Sequence, residues 1–320
     1  MSLHAFAASL LLILAPQAVS ADQDALGELA RMTDAVTRLN YEGTFVYEHA
    51  GQLQTMRVVH QADADGEREH LVSLDGDPRE VVRDRDDAVC ILADGKPVRL
   101  DHHQARGVLP GRGLGELPDL EQLYGVAYGP TSRVAGRTVR MLEILPRDQL
   151  RYGYRFWLDQ ATALPLKSEV LSADGTALER VMFTDIQLHA AADPDRVAAI
   201  RARKAQVQAM VGDAPPTPNA QPRRWQVNDL PPGFALADYR TYPDAGDGID
   251  HLIFSDGLAM VSVYVEPANA TQPLNGTHRS GAVSTFALVR DAHQVVVVGD
   301  VPMATAHIIG VAVNPSQAAR

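Results

Sequence analysis

Four prolines interrupt the run Gly212-Asp213-Ala214-Pro215-Pro216-Thr217-Pro218-Asn219-Ala220-Gln221-Pro222-Arg223-Arg224. Each fixes its own φ and removes a backbone donor, so neither a helix nor a sheet ladder passes through. Such a run behaves as a semi-rigid spacer, with a reach of about 40 Å at 3.1 Å per residue. A long surface loop within one domain is the other reading. Structureless loops of this length are uncommon in compact domains, and the pattern of elements changes across the run. It therefore reads as a linker, residues 212–224, between a unit at 22–211 and a smaller one at 225–320.

A chain of 320 residues has room for two such cores. Its formal net charge of −11 argues against nucleic acid as the main partner, because phosphate binding calls for a basic surface. Residues 1–21 read as a secretory signal. Leu10-Leu11-Leu12-Ile13-Leu14 forms the apolar centre and Val19-Ser20-Ala21 the small-residue cleavage site. A buried N-terminal helix is the alternative. Cys90 is the single cysteine, so an internal disulfide is excluded and both units must hold together through their cores. Placed between Val89 and Ile91, it reads as a buried strand thiol.

From Asp22 to Leu39 the spacing of Leu26, Leu29, Thr33, Val36 and Leu39 predicts a helix, with Asn40 at its C-terminal cap. Strand signals follow at 43–49, 55–60, 68–74, 80–83, 88–92 and 98–100. Asp75-Gly76 and Asp94-Gly95 supply turns that tolerate positive φ. The Gly- and Pro-rich stretch 101–129 breaks the series, with a short helix at 118–124, and suits a loop or lid. Strands resume at 138–145, 152–159, 166–172 and 178–188. Nine or ten sequential strands in one sheet must curl or split. The expected fold class is therefore α+β and β-rich: a large antiparallel curved sheet or open half-barrel, with helices against its concave side. Asp193-Pro194 opens a second helix ending at Gly212. After the spacer, strands at 234–242, 249–254, 258–266, 282–290 and 294–299 and a helix from Pro302 predict a small α+β domain. Val295-Val296-Val297-Val298 reads as a strand buried on both faces.

No catalytic constellation is present. The sequence lacks a Gly-x-Ser-x-Gly elbow, a His-Glu-x-x-His pair, a phosphate loop and a Cys-x-x-Cys pair. His102-His103 would point to opposite faces of an extended chain, and Asp84-Arg85-Asp86-Asp87 lacks the glycine and distal glutamate of a calcium loop. Neither an enzyme nor a cofactor is expected. The aromatic residues carry more. Phe45, Tyr47, Tyr152, Tyr154 and Phe156 fall on expected strands, and the last three alternate onto one face. With Met182 they are candidates for lining an apolar, lipid-binding cavity between sheet and helices; core packing is the plainer alternative. Arg223, Arg224 and Trp225 at the spacer's exit form a candidate partner contact, or simply a solvated linker end.

Several stretches, in order, resemble the MucB/RseB family. They are Asn40-Tyr41-Glu42-Gly43-Thr44-Phe45-Val46-Tyr47, Gln54-Thr55-Met56-Arg57-Val58-Val59-His60 and Arg151-Tyr152-Gly153-Tyr154-Arg155-Phe156-Trp157-Leu158-Asp159. Leu164-Pro165-Leu166-Lys167-Ser168, Leu230-Pro231-Pro232-Gly233-Phe234, Ser255-Asp256-Gly257-Leu258-Ala259 and Val298-Gly299-Asp300-Val301-Pro302 continue the series. The resemblance implies a periplasmic negative regulator of a sigma-E type envelope-stress response, with a first domain shaped like the half-barrel of the lipoprotein carrier LolA. Its implied partner is the periplasmic domain of a MucA/RseA-type anti-sigma factor, shielded from proteolysis while bound. Lipid or lipopolysaccharide fragments in the first domain would trigger release, and the resemblance also implies a homo-oligomer. A lipid or lipoprotein carrier that uses the first domain alone is the competing expectation.

Overall fold

The structure is a computed structural model that describes residues 23–85, 87–100, 120–211, 223–242, 248–269 and 273–316. The expected signal segment, the 101–119 stretch with its histidine pair, and residues 212–222 of the spacer lie outside the described residues.

The first helix, α1 (Gln23–Arg38), buries Ala25, Leu29, Met32, Ala35 and Val36. This stripe is rotated from the one expected through Thr33. The Thr33 hydroxyl bonds back to the Leu29 carbonyl at 3.2 Å, which satisfies it at the helix edge. Asn40 is not a cap but the first residue of β1, where its side-chain oxygen accepts the Ala62 N–H at 2.8 Å.

A meander follows: β1 (Asn40–His49), β2 (Gln52–Asp63), β3 (Gly66–Ser73), β4 (Glu80–Asp84), β5 (Asp87–Ile91) and β6 (Pro97–Leu100). After α2 (Leu120–Leu123) come β7 (Tyr124–Val134), β8 (Arg137–Pro146), β9 (Gly153–Asp159), β10 (Pro165–Leu171) and β11 (Ala177–His189). They form one sheet in the order β6-β5-β4-β3-β2-β1-β11-β10-β9-β8-β7. β1 and β11 join the two halves, from Asn40 opposite His189 to His49 opposite Glu179. Strand β7 replaces most of a segment whose Gly- and Pro-rich pattern suits a loop. Pro130 is tolerated because β7 is an edge strand and its register shifts between Tyr128 and Thr131, where a missing N–H costs no ladder bond.

The sheet curls. β7 packs against β11, four positions away in strand order, which a flat sheet would hold about 19 Å apart. Val134 and Ala135, at the β7 end, share a core with Val181, Phe183 and Ile186. α1 lies inside this curl: its Ala35 and Val36 join that core, and its Ala25, Leu29 and Met32 join a second one with Tyr124, Leu142, Ile144 and Phe156.

The long helix α3 (Pro194–Val211) is started as expected, with the Asp193 carboxylate accepting the Asp195 N–H at 2.9 Å. Its placement departs from expectation. Val58 and Val81 face α1, whereas their neighbours Val59 and Val82 pack with Ile200 and Val207 of α3. Adjacent strand residues point to opposite faces, so α3 covers the outer, convex side. The reason lies in its composition. Only Val197, Ile200 and Val207 are buried, and ion pairs to the sheet do the rest. Arg196 reaches Glu42 at 2.6 Å and Lys204 reaches Asp87 at 2.6 Å. Arg203 grips both Glu80 oxygens at 2.7 and 2.6 Å.

The second domain is a sheet of β13 (Ala235–Tyr242), β14 (Ile249–Ser255), β15 (Met260–Pro267), β16 (Gly276–Ser280), β17 (Val283–Arg290) and β18 (His293–Gly299), ordered β13-β14-β15-β18-β17-β16. A small ladder of β12 (Trp225–Val227) and β19 (Val313–Pro315) brings its two ends together. α4 (Met303–Val311), entered through Pro302, packs on β17 and β18. Because α4 covers one face only, Val295 and Val297 are fully buried while Val296 and Val298 are partly exposed. The four-valine strand is central, as expected, but not buried on both faces.

The domains dock through a dry ion pair. Arg151, just before β9, donates from Nη1 to Asp256 Oδ2 at 2.6 Å, and both side chains are fully buried. Its Nη2 donates to the Pro232 carbonyl at 2.6 Å and its Nε to Asp148 at 3.0 Å. Tyr124 donates to the same Asp256 oxygen at 2.8 Å. The guanidinium carbon also lies 5.6 Å from the Tyr124 ring centroid and 5.4 Å from that of Phe234. Burial works against the Arg151 charge, but Asp148 and Asp256 outweigh it and hold its pKa above the ordinary value.

Two measurements test these contacts. Arg151→Met or Asp256→Leu alone should cost about 3 kcal/mol and split thermal unfolding into two steps. The double variant should recover most of that, because an unpaired buried charge is worse than none. For α3, the hydrogen bond from Arg203 holds the Glu80 carboxyl below its ordinary value. A carboxyl depressed in the folded state stabilises above its unfolded pKa, about 4.3, and loses that contribution as pH falls through the folded one. Glu80→Gln should therefore cost up to about 1 kcal/mol in urea melts at pH 7, and the difference should vanish near pH 2.

Candidate functional site

Strand geometry brings one end of β1, β11, β9 and β7 to a common rim of the curled sheet, and the second domain sits on that rim. At β1 and β11, His49 and Glu179 are opposite each other. Glu179 Oε1 lies 2.9 Å from His49 Nδ1 and accepts the Ala282 N–H at 3.1 Å. The other ring nitrogen of His49 is 2.9 Å from Ser280 Oγ. The Ser280–Ala282 turn joins β16 to β17, so a carboxylate and an imidazole of the first domain grip a hairpin of the second. Gly281 has φ +56°, and a Cβ there would fall 2.7 Å from His49 Nδ1. Glycine therefore serves both the turn and the close approach.

Tyr47 extends this contact. Its hydroxyl donates to Glu179 Oε2 at 3.3 Å and lies 3.2 Å from His49 Nδ1. Burial, then the charge of Glu179, push its pKa well above the ordinary phenol range. Tyr152 is 4% exposed and stands at the rim just before β9. Burial raises its pKa. At β7, Tyr124 contacts Asp256. Burial, then the neighbouring Tyr154 and Asp256, raise its pKa far above the usual range.

Below the rim lies an aromatic cluster. The Tyr154 and Phe156 rings stack at 6.1 Å among Ala25, Leu29, Tyr124 and Leu142. One residue of this cluster comes from the other domain: Leu258, in the turn between β14 and β15. Phe45 belongs to the neighbouring cluster, edge-on to Phe183 at 5.6 Å and fully buried.

The six proposed lipid-binding residues are thus not one lining. Tyr154 and Phe156 share a cluster, Phe45 sits in the next, and Tyr47 and Tyr152 lie at the domain junction. Met182 is paired with Val46 and Lys167 and is 37% exposed. It lies on the face opposite Phe183, beyond reach of the others, because one step along a strand reverses the side chain. Of the proposed partner contacts, Trp225 is 6% exposed in the core of the second domain, edge-on to His293 at 4.8 Å. It is a packing residue. Arg224 pairs with Asp250 at 2.7 Å and its N–H donates to the Tyr239 hydroxyl at 3.0 Å. Arg223 is exposed.

Sequence reasoning passed over Arg151, His49, Glu179, Asp256 and Leu258. Only the last two left a trace: an Asp-Gly turn followed directly by a leucine, an apolar side chain where a solvent-facing turn has no use for one. Among the described residues, no group of three or more His, Cys, Asp or Glu is placed to share a metal ion. No helix of the described residues is long and apolar enough to cross a membrane.

Comparison with known proteins addresses both domains. Residues 24–206 match the family model of the MucB/RseB N-terminal domain, and residues 219–314 that of the MucB/RseB C-terminal domain. The sigma factor AlgU regulatory protein MucB of Pseudomonas aeruginosa is 36% identical, over 98% of this chain and 98% of its own length. The sigma-E factor regulatory protein RseB of Escherichia coli is 27% identical, over 87% of this chain and 86% of its own. Among solved structures, the Pseudomonas aeruginosa MucA/MucB complex superposes with a TM-score of 0.67 at 31% identity, covering 92% of this chain and 99% of that one. MucB in complex with MucA(peri) gives 0.65 at 32% identity, with the same coverage. With both of its domains matched in order and nearly its whole length aligned, the chain belongs to the MucB/RseB family of sigma factor regulatory proteins.

Proposed function

We propose that this chain is a periplasmic, non-enzymatic regulator that binds the periplasmic part of a membrane-anchored anti-sigma factor and protects it from proteolysis. Lipid or lipopolysaccharide acyl chains, entering the first domain, release that partner. The observation that carries this reading is the likeness, over 92% of the chain and across both domains, to MucB solved with MucA bound. The domain junction supports it. A partner that spans both domains needs them held together, and the Arg151–Asp256 pair and the Glu179 grip do so. The acyl part of the reading is supported by the stacked Tyr154 and Phe156 between α1 and the curled sheet, an apolar and aromatic setting of the kind that takes hydrophobic ligands.

The energy scale suffices. Burying about eight methylenes gives roughly 6 kcal/mol at about 0.8 kcal/mol each, and a near-complete switch between two states needs about 5.5 kcal/mol of differential binding.

Delipidated protein mixed with the periplasmic segment of the anti-sigma factor should form a complex on size exclusion at micromolar concentration. It should also slow protease cleavage of that segment. No complex at that concentration would remove the reading. The oligomeric state of the same sample, read by light scattering with and without lipid, tests the homo-oligomer expectation.

A further inference from the structure

The turn Ser255–Met260 belongs to the second domain, yet its leucine packs in the first. Leu258 is half-buried against the cluster of Tyr124, Tyr154 and Phe156, while its neighbours Ala259 and Val261 lie in the core of their own domain. The turn is stiff. Gly257 adopts φ +97°, and its N–H donates to Ser255 Oγ at 2.9 Å. Ser255 Oγ in turn donates to the Ala259 carbonyl at 2.9 Å.

The Asp256 carboxylate ties this turn to the domain junction. Oδ1 accepts the N–H groups of Leu258 at 3.0 Å and Ala259 at 2.8 Å, inside the turn. Oδ2 accepts Arg151 at 2.6 Å and Tyr124 at 2.8 Å, across the junction. One carboxylate therefore both caps the turn that presents Leu258 and anchors the domains. Tyr124 is at once a member of the aromatic cluster and a ligand of Asp256. The cluster and the ion pair thus share Tyr124 and the turn that carries Asp256 and Leu258.

We propose that this turn is a stopper. With the domains docked, Leu258 fills the rim end of the aromatic cluster; an acyl chain entering the cluster drives Leu258 out and carries Asp256 off Arg151. The proposal rests on the reading that the first domain takes up acyl chains, and it supplies what that reading lacks, a contact that differs between the two states. A ligand shifts a conformational equilibrium only through such a difference. Here the acyl chain and Leu258 compete for the same apolar surface, so the docked arrangement excludes the ligand and the undocked one admits it.

The full-length protein, delipidated, is titrated with cis-parinaric acid and followed by its fluorescence. Leu258→Ala should bind about tenfold more tightly than the wild type, since a weaker competitor is displaced, and Leu258→Phe should bind more weakly. Saturating the wild type should also accelerate hydrogen exchange at the Ala282 amide, whose acceptor Glu179 lies across the junction. Equal affinity in all three proteins, or unchanged exchange at saturation, overturns the stopper while leaving acyl binding intact. No binding by any of the three overturns the acyl reading and the stopper with it. Thermal melts of both variants within a few degrees of the wild type show that the folds compared are the same; the substituted side chain is half-buried in a turn, so little stability rides on it.

Discussion

A guanidinium and a carboxylate buried together, Arg151 and Asp256, set what the two domains can do. Removing both charges from water carries a desolvation cost of several kcal/mol per ion, repaid only when geometry and further hydrogen bonds are complete. Here they are. Arg151 is met by Asp256, Asp148 and the Pro232 carbonyl, and Asp256 by Tyr124 and two backbone N–H groups. Such a pair tolerates little displacement, because a small opening leaves ions without partners in an apolar setting. It favours two discrete arrangements, docked and apart, over a continuum. The second contact, at Glu179 and His49, is different in kind: partly solvated, and made to a hairpin through one backbone N–H and one hydroxyl. The junction joins a sharp element to a forgiving one.

Much of the architecture was legible in the residues. Asp75-Gly76, Asp94-Gly95 and Asp256-Gly257 mark turns because the glycine of each takes a positive φ that other residues resist, and each lies between strands. Asp193-Pro194 marks a helix start for reasons local to its own backbone. What failed were inferences that depend on the other side of a contact. Trp225 beside two arginines reads as a surface cluster until β12 is seen to pair with β19, which folds the ring into a core. Met182 reads as a companion of Phe45 until the β1–β11 register sets it on the other face. Arg151 and Glu179 carry no local signature at all: their partners lie 105 and 103 residues away in sequence.

The helices show the same limit. α1 carries a clear apolar face and α3 almost none, yet both were expected on the concave side. They separate by the chemistry of their inner stripes. α1 offers Leu29, Met32 and Val36 to an apolar curl, whereas α3 offers Arg196, Arg203 and Lys204 to a sheet face that carries Glu42, Glu80 and Asp87. An ion-paired helix suits a convex surface, where water still reaches the pairs and the desolvation cost stays small.

The open edge of the large sheet has a consequence of its own. Among the described residues the curled sheet does not close and β7 is its last strand, a place where an edge offers a template on which another strand could grow. Pro130 and the register shift beside it break that template in the middle of the strand. At the far edge, β6 is short and begins at Pro97. Edge-to-edge pairing of this sheet is thereby discouraged at both margins.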